Sequence, residues 1–162
     1  LLKFKGKNTK IKAMTTLFVG FHYLCFALAF GALSVQSVFL RSPQDFAKTR
    51  VLLLSRIDAV YGVAAVGSVL TGLMRVFVLG KGASYYGTHT LFWIKIGVFA
   101  CIGLLSVYPT IQFIQNRSLG LQDWALNRPK VISRLRWMVS GEMVLYVILP
   151  FLAVQMAQGP HF

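Results

Sequence analysis

Charge is what this chain has least of. Only 13% of its 162 residues are charged, against roughly 25% in a soluble domain, and four of those are acidic: Asp45, Asp58, Asp123 and Glu142. A soluble globular fold is excluded on that balance. Soluble-enzyme signatures are missing as well: there is no P-loop, GxGxxG, GxSxG, HExxH or CxxC, and His22, His89 and His161 have no metal-ligand spacing to one another. Cysteine occurs twice, as Cys25 and Cys101. Each falls about ten residues into an apolar run, where a small packing side chain is expected and a disulfide is not. No internal repeat is visible.

What the chain has instead is apolar length. Apolar residues make up 56%, the mean hydropathy is +0.66, and four runs carry no Asp, Glu, Lys or Arg: Ala13 to Leu40, Ala59 to Met74, Ile96 to Asn116 and Met143 to Phe162. Three reach the ~20 residues a membrane-spanning helix needs, and the second does so if Arg75 snorkels and the helix continues to Leu79. The runs are continuously apolar, whereas barrel strands would alternate. The expectation is an all-α integral membrane protein, an antiparallel bundle of four transmembrane helices near 15–40, 57–79, 91–114 and 138–157. A basic tail, residues 1–14, precedes a single domain, residues 15–162. The first apolar stretch is too long for a signal peptide's h-region, so it is read as a helix.

The net charge of +13 sits on helix flanks, scattered over a tail and three loops, which does not suit a nucleic-acid groove. Counting basic residues by side gives eight against nine. If Met14 were the natural start the count would be three against nine, favouring both termini outside. Small residues at i, i+4 spacing mark two faces for close helix contact: Ala64, Ser68 and Gly72 on the second helix, Gly97 and Cys101 on the third. "GKGASYYG" reads as an interfacial loop, with Tyr85, Tyr86, Phe92 and Trp93 as an aromatic belt. The segment "LGLQDWALNRPK" reads as a turn or interfacial stretch with Trp124 at headgroup depth.

The polar residues of the runs fall into two layers. On one side stand Arg41, Arg56, Asp58, Arg136 and Glu142, read as structural ion pairs between the second and fourth helices, with Glu142 paired to Arg56 or Arg136. On the other side stand His22, Arg75 and Lys95. His22 lies ~10 Å and Lys95 ~6 Å inside their helices at 1.5 Å per residue. His22 shares a face with Phe18, Cys25 and Ala29, where small residues leave room for something flat. A neutral imidazole there could ligate haem iron, with Lys95 and Arg75 pairing with propionates. Equally, His22 could bond a neighbouring helix and Lys95 could snorkel past Trp93 to the headgroups.

The stretches "RIDAVYG", "TGLMRVFVLGKGASYYG", "LFWIKIGVF", "GLLSVYPTIQF" and "LAVQMAQG" resemble the signature of a bacterial family of uncharacterised four-helix membrane proteins. Its implied location is the bacterial inner membrane; it implies no activity. More distantly, the order of His22, Arg56, Trp93 with Lys95, and Arg136 with Trp137 is similar to the haem-containing bacterial membrane protoporphyrinogen oxidase. That resemblance implies a haem-ligand role for His22 and a functional role for Lys95. The chain departs from that family at Tyr108 and Pro109, where a histidine is usual, and at "RWMVSGEM", where Asn-Glu-x-Pro is usual. Three readings follow: a haem-b-binding redox protein, with enzyme activity left open; a non-catalytic accessory subunit of a larger membrane complex; and, least favoured, a proton-handling transporter. The expected partners are the lipid bilayer and either a larger membrane-protein complex or further copies of the chain.

Overall fold

The computed structural model describes residues 2–46, 48–74, 76–77, 87–88 and 90–158, with side chains described from residue 14 to residue 156 within those segments. Five α-helices run in order: α1 (Leu2–Arg41), α2 (Val51–Met74), α3 (Thr90–Gln115), α4 (Leu121–Asn127) and α5 (Pro129–Gln158). A 3₁₀ turn at Pro43–Phe46 follows α1. Four segments are long and apolar enough to cross a membrane: Met14–Arg41, Val51–Met74, Thr90–Gln115 and Pro129–Met156. The protein is therefore an all-α membrane bundle of four spans, with α4 as a short helix between the last two. Around the bundle α1 contacts α2 most extensively, α3 contacts α5, α5 returns to α1, and α2 meets α3 only sparsely. Helices α1 and α3 accordingly occupy opposite corners.

The helices outrun the uncharged stretches that announce them. α2 begins at Val51, not 57, and α5 at Pro129, not 138. Proline suits that first position because its missing N–H has no helical partner there. Arg56, Arg134 and Arg136 continue the helices because their side chains are exposed and the backbone ladder is indifferent to them. The expected basic tail is not separate in backbone, since α1 starts at Leu2. The expected end of the second span near 79, the loop tyrosines Tyr85 and Tyr86, and Arg75 lie outside the described residues.

Burial is concentrated toward one end of the bundle. Leu33, Leu40, Val51, Leu54, Phe113, Leu121 and Leu135 are fully enclosed, as is Trp124 at 1% exposure. Trp124 is thus packed into the core at this end of the bundle. It meets Phe113 edge-on, with centroids 6.3 Å apart, because α4 turns back across the mouth of the bundle. Two loops are tied together at this end. The Val51 N–H donates to the Leu119 carbonyl at 3.0 Å and the Leu121 N–H to the Thr49 carbonyl at 2.8 Å, an isolated antiparallel bridge pairing Arg50 with Gly120. Loops one and three therefore share a side, as four spans require.

The opposite end is looser. Among the described residues of α3 none before Ile102 is buried, and Leu91, Phe92, Lys95, Val98 and Phe99 are only half-covered. The α1–α2 seam is the exception. A Cβ placed on Gly67 would lie 2.8 Å from the Cys25 sulfur, and one on Gly72 3.6 Å from His22 Cε1. Ala64 and Ser68 are buried in the same row, so the small face of α2 meets α1 as expected. The matching row on α3 makes no such contact among the described residues: nothing lies within 4 Å of a Cβ on Gly97, and Cys101 is exposed. Spacing is identical in the two rows; only the rotation of α3 about its axis differs.

Candidate functional site

The polar layer nearer the joined loops is built from all four spans. α1 supplies Gln36, α2 supplies Asp58 and Tyr61, α3 supplies Thr110, and α5 supplies Glu142 and Tyr146. Gln36 Nε2 donates to Asp58 Oδ1 at 3.2 Å, with the Thr110 hydroxyl close by. Tyr61 lies beside Glu142 and Tyr146, the two tyrosine rings having centroids 6.2 Å apart. Phe26 and Phe99 complete an aromatic wall about Tyr146 at 5.2 and 6.3 Å. Glu142 is 1% exposed. Neither of its carboxyl oxygens nor the Tyr146 hydroxyl makes a well-formed hydrogen bond, the Tyr61 hydroxyl being within reach of both but poorly aligned.

Among the described residues, Arg136 serves the end of α1 and is not seen paired with Glu142. Arg136 Nε donates to the Leu40 carbonyl at 2.6 Å and Nη2 to the Arg41 carbonyl at 3.3 Å. Those carbonyls end α1 and lack helical partners, so a guanidinium satisfies both their hydrogen bonding and the negative end of the helix dipole. Arg56 is exposed, and Asp58 is served by an amide. Glu142 lies six residues beyond Arg136 on the same helix, ~9 Å deeper at 1.5 Å per residue.

At the looser end His22 Nδ1 is 2.8 Å from Thr71 Oγ1. The Thr71 hydroxyl has one proton, and its short contact at 2.6 Å is to the Gly67 carbonyl, with the Ser68 carbonyl at 3.2 Å. It donates there and accepts from His22, which places a ring proton on Nδ1. His22 is half-buried, with Tyr23 edge-on at 6.0 Å. The room expected alongside Cys25 and Ala29 is filled: Cys25 sits against Gly67, and Ala29 is fully buried. Lys95 is half-buried on α3, diagonally across from His22's helix. Trp93 is 59% exposed, and its ring N–H donates to the Gly87 carbonyl at 3.0 Å. Among the described residues no group of three His, Cys, Asp or Glu is gathered as a metal site.

Sequence reasoning missed Gln36, Tyr61, Thr71, Thr110 and Tyr146. A signal for two of them was present. Tyr61 follows Asp58 by three residues and Tyr146 follows Glu142 by four, the spacings that put side chains on one helical face.

With this arrangement in place, comparison with known proteins gives one family. Residues 14–160 match the family described as "Predicted membrane protein (DUF2214)", and the chain belongs to it. No curated protein and no solved structure matches the chain. The family description supports membrane residence and carries no activity; it lends nothing to the likeness with protoporphyrinogen oxidase.

Proposed function

We propose that this protein is a small redox protein of the bacterial inner membrane that binds haem b at the looser end of its bundle, with His22 as axial ligand. The observation that carries this reading is the His22–Thr71 hydrogen bond at 2.8 Å. A metal-ligating histidine ordinarily donates its other ring N–H to a fixed acceptor, which sets the tautomer and the ring's orientation. Thr71 supplies that acceptor, itself held by α2's own backbone.

The surroundings suit a flat, mostly apolar group in part. The inward side of α3 from Leu91 to Phe99 is only half-covered, and bundle cofactors sit between facing helices. Such a group would have to lie toward α3, because Cys25 already packs against Gly67 of α2 and Ala29 is fully buried. Lys95 on α3 is placed nearer the interface than His22, suited to a charge-assisted bond with a propionate; Arg75 is offered for the same role on its sequence position alone. When bound, haem b would supply one-electron redox chemistry. The chain's part is to hold the ring through His22, to keep His22 in one tautomer through Thr71, and to neutralise acid groups through Lys95.

The test is the visible spectrum of the full chain purified in detergent from cells given haem precursor, oxidised and reduced. A Soret band that His22→Ala abolishes or alters is expected, with Lys95→Ala weakening retention more than it alters the ligation. Absence of Soret absorption in the wild type overturns the reading.

One feature favours a second reading, that of a non-catalytic subunit or self-associating protein. Gly97 and Cys101 form a small-residue row on the outward face of α3, and such rows let helices of separate chains approach closely. Gly97→Leu would then reduce co-purification of a membrane partner or a second copy, and leave the monomer's thermal stability unchanged.

A further inference from the structure

The buried layer around Glu142 is unused by the haem reading and stands apart from it. Glu142 is 1% and Tyr146 0% exposed; the polar atoms of both side chains make no well-formed hydrogen bond, and the hydroxyl within reach of each is that of Tyr61. An ionised carboxylate in hydrocarbon is tolerated when it is paired, and an unpartnered one costs several kcal/mol or more. Among the described residues, the arginines flanking this layer are placed elsewhere. Arg136 is engaged by the end of α1, Arg134 lies over the Tyr108 ring at 5.6 Å, and Arg56 is exposed.

A second carboxyl adds to the problem. Asp58 is 6% exposed and one helical turn from Tyr61, whose ring centroid lies 6.2 Å from that of Tyr146, one turn from Glu142, and like charges that share a low-dielectric site disfavour double ionisation. The groups that face the pair are Gln36 from α1, Tyr61 beside Asp58 on α2, Thr110 from α3 and Tyr146 on α5 itself. All are neutral donors or acceptors. Among the described residues, then, the layer contains two acids, four hydroxyl or amide groups and no cation.

We propose that Glu142 and Asp58 form an intramembrane proton-binding site, sharing one proton that exchanges with the side bearing the joined loops. Tyr146 and Tyr61 are the hydroxyl links of the site, and the Gln36–Asp58 bond marks its outer edge, toward the mouth where Arg136 meets Leu40. Uptake is a simple protonation: an O–H bond forms at a carboxylate oxygen, and no electron is transferred. Neither haem nor His22 takes part.

The test uses the full wild-type chain in detergent and needs no ligand. Infrared difference spectra between acidic and alkaline pH should contain a carbonyl stretch of a buried protonated carboxyl, shifted in D₂O. Glu142→Gln should remove it, Glu142→Asp should move it, and Asp58→Asn should change the pH at which it disappears. Sodium added at constant pH should leave the band in place. No such band in the wild type, or a band indifferent to both Glu142→Gln and Asp58→Asn, overturns the proposal. Loss of the band on adding sodium also overturns it, in favour of a monovalent-cation site. The wild-type spectrum, its D₂O shift and its sodium response remain decisive if a variant fails to fold.

Discussion

The Arg136 guanidinium serves Leu40 and not Glu142: it donates to the Leu40 carbonyl at 2.6 Å, while both oxygens of Glu142, deeper on the same helix, make no well-formed hydrogen bond. A charge placed by sequence beside an acid is thus spent on a helix end. The two residues should be energetically independent. Arg136→Ala should lower stability by about 1–2 kcal/mol through lost charge-assisted bonds to the α1 terminus. Glu142→Gln in the Arg136→Ala background should have the same effect as alone, within about 0.5 kcal/mol. Thermal unfolding in detergent of both single variants and the double variant measures this; a coupling of several kcal/mol would restore the ion pair.

The bridge between loops one and three invites a covalent test. Arg50 and Gly120 are flanked by the two inter-loop bonds, at 3.0 and 2.8 Å, which makes them a non-hydrogen-bonded pair with Cα atoms about 4.5 Å apart, within disulfide range. Gly120 has φ −68° and ψ 143°, a backbone conformation any residue adopts, and a Cβ there would require the Asp123 carboxylate, 3.1 Å away, to move slightly. In a chain with Cys25 and Cys101 replaced by alanine, Arg50→Cys with Gly120→Cys should oxidise to one intramolecular disulfide, seen as a reducible mobility shift. Thiol labelling of Ser118→Cys and Lys48→Cys should occur from one side and of Thr88→Cys from the other. Labelling of all three from one side would remove the four-span arrangement.

The span count was legible because a bilayer demands long uncharged runs, and only helices bury their own backbone there. Helix limits were less so. Arg56, Arg134 and Arg136 interrupt the runs but not the helices, since a long cationic side chain reaches water from a helical position. Partners were the least legible. Arg136 chose a backbone carbonyl, which no letter of the sequence encodes. The rows Ala64–Ser68–Gly72 and Gly97–Cys101 have the same spacing, yet among the described residues only the first faces a neighbour, because spacing fixes a face and not its direction. At Trp124 the sequence marked an interfacial segment but not its packing, because nothing in it tells that α4 lays the ring against Phe113.

The α1–α2 seam should be sensitive to a single methyl. A Cβ on Gly67 would meet the Cys25 sulfur at 2.8 Å, whereas one on Gly62 meets nothing within 4 Å. Gly67→Ala should therefore destabilise by about 1–3 kcal/mol through overpacking, and Cys25→Ala in that background should recover most of the loss. Gly62→Ala should be neutral or slightly stabilising, from helix propensity. Thermal unfolding of the three variants against the wild type decides it; equal effects at Gly67 and Gly62 would mean that the two helices do not approach as described.

The tautomer of His22 can be read directly. Thr71 Oγ1 is 2.6 Å from the Gly67 carbonyl and 2.8 Å from His22 Nδ1, so its single proton is committed to the backbone and the imidazole must donate. Ring-nitrogen NMR of the ¹⁵N-histidine-labelled protein in detergent should show one histidine with its proton fixed on Nδ1, assigned by its loss in His22→Gln. Thr71→Ser keeps the hydroxyl and should preserve that signal. Thr71→Val keeps the shape but removes the acceptor, leaving a donor without its partner at a half-buried position, so the ring should redistribute between tautomers and lose about 1 kcal/mol of helix-pairing stability. That outcome follows with or without a cofactor, because it depends only on hydroxyl geometry. An unchanged Nδ1–H signal in Thr71→Val would show that something other than Thr71 orients His22, and would take away the observation on which its ligand role rests.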